Sequence, residues 1–566
     1  MAEKINYVGL FQNLFRCSKD CIGGVFLAFY LLTACLSLET VPVSPTLPGS
    51  DVVPVDTPEP AATLLPPGLW IDLAIPNQLR QIALSTDIPL ASSYMSATAR
   101  LVVADSQNLP PDSYPINWIY AFVAPFPTLT EGVGTDDIRL LWNGKPAPAL
   151  AGCQLWMDES TLAVFTALWG EPALDAVKTA PADILSETLW SSQKPGFAII
   201  PFENLDPHWK VLTVDGQSPI HKEFDMSAYP LAVTFACIGE NCFNLNLPGS
   251  NRDPSKLTVV VMTGVTALVR RTAWTMEQKG ILYPGRDIRD WLRDADITHI
   301  SNEIPFAQDC PYPDPNQEAI VFCSDPRYIE LLEDVGADII ELTGNHFQDW
   351  GSSATLFTID MYKQRGLLYY GGGSDLADSQ KSVEIENNGN RIAFIGCNAP
   401  GPDFAWATES QPGAAPCGDL TWMVNEIARL RSEGFLPIAT FQHYEYYTPE
   451  PRPNQLHDFR MVADAGAIIV SGSQAHAPQA MEFYNDTLIL YGLGNLFFDQ
   501  MVYPLGSVMS TITRQELIAR HVFYDNKYIS TELLTAMLED YARPRPMTEQ
   551  ERFELLTNLF TVSGWK

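Results

Sequence analysis

From Leu257 onward the chain repeats one unit: a short run of aliphatic and β-branched residues, a polar loop, then a helix-like segment. Leu257-Thr-Val-Val-Val-Met262 and Ala337-Asp-Ile-Ile-Glu-Leu342 are such runs. Arg391–Gly396, Phe435–Phe441, Ala467–Ser471 and Thr487–Tyr491 follow, and Pro326–Val335, Ser352–Arg365 and Leu420–Glu433 read as helices between them. Continuous apolar runs of this length are strands buried on both faces, and their alternation with helices predicts an α/β fold. In such folds ligands bind beyond the carboxyl ends of the strands, where loops present side chains without disturbing the core.

Four polar loops occupy those ends. Ser301-Asn302-Glu303-Ile-Pro305 follows Ile297–Ile300, and Gly344-Asn345-His346 follows Leu342. Gln442-His443-Tyr444-Glu445 follows Phe441, and Gly472-Ser473-Gln474-Ala475-His476 follows Ser471. The chain has eight histidines, and three sit in these loops. Imidazole, amide oxygen and carboxylate are the ligand types of a hydrolytic Zn²⁺ or Mn²⁺ site, in which a metal acidifies water and a free His protonates a leaving group. The same residues equally line a sugar- or peptide-binding cleft, and periodicity does not separate the two.

Length and charge narrow the classes. A chain of 566 residues predicts two to four domains, and a net charge of −32 argues against nucleic acid as a partner, because phosphate binding needs clustered Lys and Arg. Lys4, Arg16 and Lys19 precede an apolar run from Ile22 to Ala34 that ends in Leu32-Thr-Ala-Cys35. That is the plan of a secretory signal, and the run is short for a membrane helix. Its last four residues look like a bacterial lipobox, so residues 1–35 read as a lipoprotein signal with Cys35 as the lipidated residue. The chain would then be anchored to the outer face of the cytoplasmic membrane; an uncleaved anchor helix is the other reading. Residues 36–67, rich in Pro and Thr, read as a spacer. Cys237/Cys242, Cys310/Cys323 and Cys397/Cys417 are close enough in sequence to pair as disulfides in an exported protein, leaving Cys153 free.

Residues 68–250 alternate short strands with helices such as Ser160–Trp169, a separate α/β domain. Trp118–Thr128, Gly196–Glu203 and Lys210–Gly216 together resemble a lobe of a type 2 periplasmic solute-binding protein. Asn246–Pro254 reads as a boundary. A second domain spans 255–515, and 516–566 reads as a helical tail.

Several motifs in the second domain occur in one order: Asn302-Glu303-Ile-Pro, Thr343-Gly344-Asn345-His346-Phe-Gln-Asp349-Trp-Gly351 and Tyr369-Tyr-Gly-Gly-Gly373, then His443-Tyr-Glu445-Tyr, Asp464 through Ser473-Gln474-Ala-His476, and Tyr491-Gly-Leu-Gly-Asn-Leu-Phe-Phe498. In that order they resemble the CapA family, associated with poly-γ-glutamate capsules. The resemblance implies a layered α/β/β/α sandwich of metallophosphoesterase type, holding one divalent metal (Mn, Zn or Fe). By carry-over Glu303, Asn345, His443 and His476 would be metal ligands, and His346, with Asp349, would be the catalytic proton donor. Asn302, Glu445 and Gln474 would contact substrate, and Arg270, near the end of the first strand, would offset the chain's repulsion of an anionic one. Two departures stand out: Val265 takes the place of the family's first-strand Asp, and Gln474 that of the first His of a His-x-His pair.

The expected function is a surface-anchored protein that synthesises or processes an anionic envelope polymer or its precursor, by mononuclear metal-assisted hydrolysis or transfer. The alternative is a catalytically inactive cleft that binds or positions a polymer or solute at the cell surface.

Overall fold

The structure is a computed structural model and describes residues 68–192, 194–239, 242–501 and 510–565. Expectations for residues 1–67, Cys35 among them, lie outside the described residues. From residue 68 on, the described chain belongs to one unit.

Two sheets stack face to face in the second half. In the first, strand Leu257–Met262 runs parallel to Ile297–Asn302, which continues to Ile339–Glu341 and Leu368–Tyr370. In the second, Asn390–Asn398, Leu436–Gln442, Ile469–Gly472 and Thr487–Leu490 run parallel. The strands are buried on both faces, as their unbroken apolar runs require. Val260 and Met262 pack between the sheets with Phe394, Ile438, Ile469 and Leu488. Val261, one residue out of phase, packs on Ala273, Met276 and Leu332 of the outer helices. Ala439 and Phe441 of the second sheet likewise face Met423, Ile427, Phe459 and Val462 of helices Thr421–Ser432 and Pro453–Asp464. The layer order is helix, sheet, sheet, helix.

The tail departs from expectation. Residues 516–566 are not wholly helical: Gln515–Tyr524 and Lys527–Glu539 form a hairpin, and Arg543–Pro546 adds a further strand. The hairpin lies antiparallel against Leu257–Met262 and completes the first sheet. Its pattern is period two, with Leu517, Ala519 and Phe523 turned to the inter-sheet core and Ile518 to the helices. Asp525 and Asn526, at φ 52° and 58°, supply the left-handed turn such a hairpin needs. Only Glu549–Val562 is helical, started by a reciprocal Thr548–Glu551 capping box.

The first half is α/β, as expected. Its nine-stranded sheet is centred on Ser113–Pro125, which pairs with Gly196–Pro201, Trp209–Val214 and Ala232–Ile238. Its core takes in Leu257, Val259 and Val522 of the second half. The polar segment at the boundary is stitched in: Asn251 accepts from Ile119 N (2.8 Å) and donates to Ile119 O (2.9 Å) and Glu203 Oε2 (2.6 Å). His221 Nε2 lies 2.9 Å from Glu532 Oε1, a further link to the hairpin.

Three disulfides, Cys237–Cys242, Cys310–Cys323 and Cys397–Cys417, are present, and Cys153 is free and partly buried. No helix among the described residues is long and apolar enough to cross a membrane.

Candidate functional site

The parallel strands of both sheets deliver their polar loops to one edge. Alternation along strand Leu436–Gln442 decides which side chains reach it. Ile438 faces the inter-sheet core while Ala439 and Phe441 face the helices; Gln442 therefore shares the inward face and His443 the outward one. Gly344 lets the two loops of the first sheet touch, since a Cβ there would lie 2.3 Å from Glu303 O.

Gln442 is the centre of the site. Its Nε2 donates to Glu303 Oε1 at 3.0 Å and to Asn345 Oδ1 at 3.2 Å, and its Oε1 accepts from Ser473 Oγ at 2.6 Å. The reverse amide orientation would set an oxygen against the Glu303 carboxylate, which only accepts, so the network fixes the orientation. Glu303, Gln442 and Ser473 are all buried.

His476 closes the next side. Its Nδ1 meets Asn495 Oδ1 at 2.8 Å and its Nε2 meets Glu445 Oε1 at 3.3 Å. Burial pushes the imidazole pKa down, but the Glu445 hydrogen bond and the charges of Glu303 and Glu445 outweigh it and raise it above the usual value. Burial in turn pushes Glu445 up, and its contacts with His476 overcome this and hold the carboxyl low. His346 Nδ1 lies 2.6 Å from Asp349 Oδ2, which also accepts from Phe322 N at 2.9 Å. Burial depresses His346 too; Asp349 and Glu303 reverse the sign and raise its pKa. Glu303 thus acts on both imidazoles.

Other expected site residues sit elsewhere in the architecture. His443 is turned from the cleft, with Nε2 2.9 Å from Asp458 Oδ2 and its ring against Phe459 of the covering helix. Strand alternation gives it the phase opposite to Gln442, and its Nδ1 is buried without a protein partner. Arg270 pairs with Asp499, its guanidinium 5.1 and 5.2 Å from the Phe322 and Phe498 ring centres. Asn302 Nδ2 donates to Ile304 O (2.7 Å) and Tyr362 Oη (2.9 Å), which shapes the turn presenting Glu303. Gln474 Nε2 reaches Glu445 Oε1 at 3.4 Å, and its buried Oε1 has no protein partner.

The donor set does not fit a metal centre. Val265 packs with Ala267, Val269, Ile304, Phe322 and Phe498, an apolar cluster where an acidic ligand was sought. Thr263 Oγ1 donates to His299 O and faces another way. Between Glu303 and Asn345 stands the NH2 group of Gln442, which donates where a cation would accept. No group of three or more His, Cys, Asp or Glu among the described residues could hold a metal ion. Gln442 and Ser473 are the site residues that sequence reasoning missed. The period-two phase of strand 436–442 was the signal that could have found the first.

Comparison with known proteins agrees with the motif order. Residues 259–500 match the family model described as bacterial capsule synthesis protein PGA_cap. A capsule biosynthesis protein CapA of Bacillus anthracis is 24% identical over 306 residues, 53% of this chain and 72% of that protein. A PGA biosynthesis protein CapA of Bacillus subtilis (strain 168) is 27% identical over 226 residues, 40% of this chain and 59% of that one. Among solved structures, a putative 5′-nucleotidase from Staphylococcus aureus in complex with alpha-ketoglutarate matches at a TM-score of 0.31 and 10% identity, covering 53% of this chain and 58% of its own. Through its segment 259–500, this chain is similar to the CapA proteins of bacterial capsule synthesis.

Proposed function

We propose that the protein takes part in making an anionic capsule polymer of the poly-γ-glutamate kind, and that its cleft holds the polymer or its precursor without a resident metal. The CapA relatives support the polymer class. The observation that carries the metal-free reading is the Gln442 amide set between Glu303 and Asn345. Asn345, held in place by Gln442, and Gln474, whose Oε1 has no protein partner, offer a donor and an acceptor suited to an amide-linked chain. The raised imidazoles of His346 and His476 offset Glu303, Glu445 and Asp349 and lower the barrier to an anionic ligand. We also infer export and attachment at the outer face of the membrane through Cys35, a reading supported by three disulfides, which persist in oxidising compartments.

Metal analysis of the purified full chain after equilibration with Mn²⁺ and Zn²⁺, beside calorimetric titration with γ-linked glutamate oligomers, tests this. Substoichiometric metal with saturable oligomer binding that is lost in Gln442→Ala is the expected result. One tightly held metal per chain overturns the metal-free reading, and the absence of oligomer binding overturns the polymer assignment.

A further inference from the structure

A cavity of about 330 Å3 lies beside the candidate site. Its outer wall is the strap from Cys310 to Cys323, closed on itself by the disulfide between those residues. Its inner wall includes Arg270 and Trp350. The volume is at the low end of the roughly 300–1,000 Å3 of small-molecule sites, room for one ring-sized unit.

The lining selects a ligand chemistry. Tyr312 is 63% exposed, yet its hydroxyl is held by Gln278 Nε2 at 3.2 Å. The Trp350 indole N–H is spent on Asp309 Oδ1 at 3.0 Å. With the indole N–H spent and the phenol oxygen accepting from Gln278, the two ring faces remain as apolar walls. Arg270 lines the cavity; its Nη2 pairs with Asp499 and its Nε is buried, so what remains for a ligand is the rest of a donor-only guanidinium. Such a donor calls for an oxygen acceptor. Asp314 and Asp325 also line the cavity. Asp325 is paired with Arg327, so the Asp314 charge is the one that opposes an anion, while an organic cation would leave the Arg270 guanidinium unanswered. A hydroxyl group both accepts and donates, so it answers the guanidinium and the carboxylate together.

We propose that this strap-walled cavity binds a neutral pyranose unit, its apolar face against Tyr312 or Trp350 and its hydroxyls shared between the Arg270 guanidinium and Asp314. The site goes beyond the cleft reading and stands without it. It shares a wall with the cleft: Phe322, in the strap, lies beneath the Arg270 guanidinium and 4.7 Å from the His346 ring.

Saturation-transfer NMR and calorimetry on the full chain, with methyl glucoside and N-acetylglucosamine as probes, test the site. γ-Glutamylglutamate and choline serve as the anionic and cationic controls. The expected result is saturable millimolar binding of a neutral sugar, weakened about tenfold or more in Tyr312→Ala and kept in Gln442→Ala. Tyr312 is exposed, so its variant should melt with the parent; Asp314→Asn is the second, conservative probe and should also weaken the sugar. Binding of neither sugar, sugar binding unchanged in both strap variants, or preference for the dipeptide or choline would each overturn the proposal. Loss of sugar binding in Gln442→Ala with the strap intact would assign the sugar to the cleft instead. Failure of oligomer binding in the cleft leaves the outcome here unaffected.

Discussion

Gln442 Nε2 stands 3.0 Å from Glu303 Oε1, joining the end of a strand in one sheet to the loop after a strand in the other. The bond links the two sheets of the sandwich at the edge where the ligand loops gather. It also gives the buried Glu303 carboxylate a neutral hydrogen-bond donor instead of a cation, and the site's chemistry follows from that exchange.

If neutral residues are what exclude a metal, restoring ionic and imidazole ligands should admit one. Val265→Asp, Gln442→His and Gln474→His together are expected to confer near-stoichiometric Mn²⁺ or Zn²⁺ binding on a chain that otherwise holds little. The metal-free triple variant should be destabilised by about 3 kcal/mol or more, because the new carboxyl enters the Ala267, Val269, Ile304, Phe322 and Phe498 cluster. Added metal should then raise its melting temperature. A variant that folds but takes no metal would show that backbone placement, not side-chain chemistry, is the obstacle.

Gln442 and its sequence neighbour His443 should separate binding from stability. Gln442→Ala strands the buried Glu303 carboxylate, at a cost of about 1–3 kcal/mol, and should abolish binding of γ-glutamate oligomers. His443→Ala removes the contact with Asp458 at the helix face and should cost about 1 kcal/mol while leaving oligomer binding unchanged. Denaturant midpoints and titrations on the two variants decide the matter. Equal losses of binding would refute the assignment of His443 to the outer face.

Gly344→Ala tests the close approach of the two loops. The added Cβ would meet Glu303 O at 2.3 Å and Glu303 Cα at 2.6 Å, backbone atoms that cannot swing aside. The loop carrying Asn345 must shift, at a cost of about 1–3 kcal/mol, and the Asn345–Gln442 bond should go with it. A melting curve and an oligomer titration matching the parent would show that the loops are not packed this tightly.

Much of the architecture was legible because unbroken apolar runs such as Leu257–Met262 have few alternatives to a two-sided buried strand. Helix Ser352–Arg365 was placed to the residue, ended by Gly366 in a left-handed conformation. The tail misled because the final helix-like stretch coloured the reading of the period-two segment before it. At the site, four loops were correctly gathered at one edge, but residue type was weighed above strand phase. A histidine in a ligand loop drew attention to position 443, while alternation set by Ile438 and Phe441 gave the inward place to Gln442. The pairing of Arg270 with Asp499 was not legible for another reason: the two lie 229 residues apart, beyond the reach of local pattern.

Glu203 carries a pH dependence that no catalytic assignment requires. Its carboxylate accepts from Trp118 Nε1 at 3.1 Å and from Asn251 Nδ2 at 2.6 Å, where the first half meets the boundary segment. Burial raises its pKa from 4.5 to about 7, only partly countered by these donors. The folded pKa is therefore the higher one. Folding favours the protonated carboxyl, so this contribution is fully present below about pH 4.5 and is lost as pH rises through about 7. Across that window the parent should lose up to roughly 3 kcal/mol from this group, an upper bound because the side chain is only partly buried. Glu203→Gln removes the titration and should flatten the stability profile between pH 5 and 8 while costing some stability at the acid end, where one of its two donors meets an amide NH2 instead of an oxygen. Urea midpoints for parent and variant, measured at intervals across that range, check it; parallel profiles would mean that Glu203 titrates at its ordinary value and that Asn251 and Trp118 hold it ionised throughout.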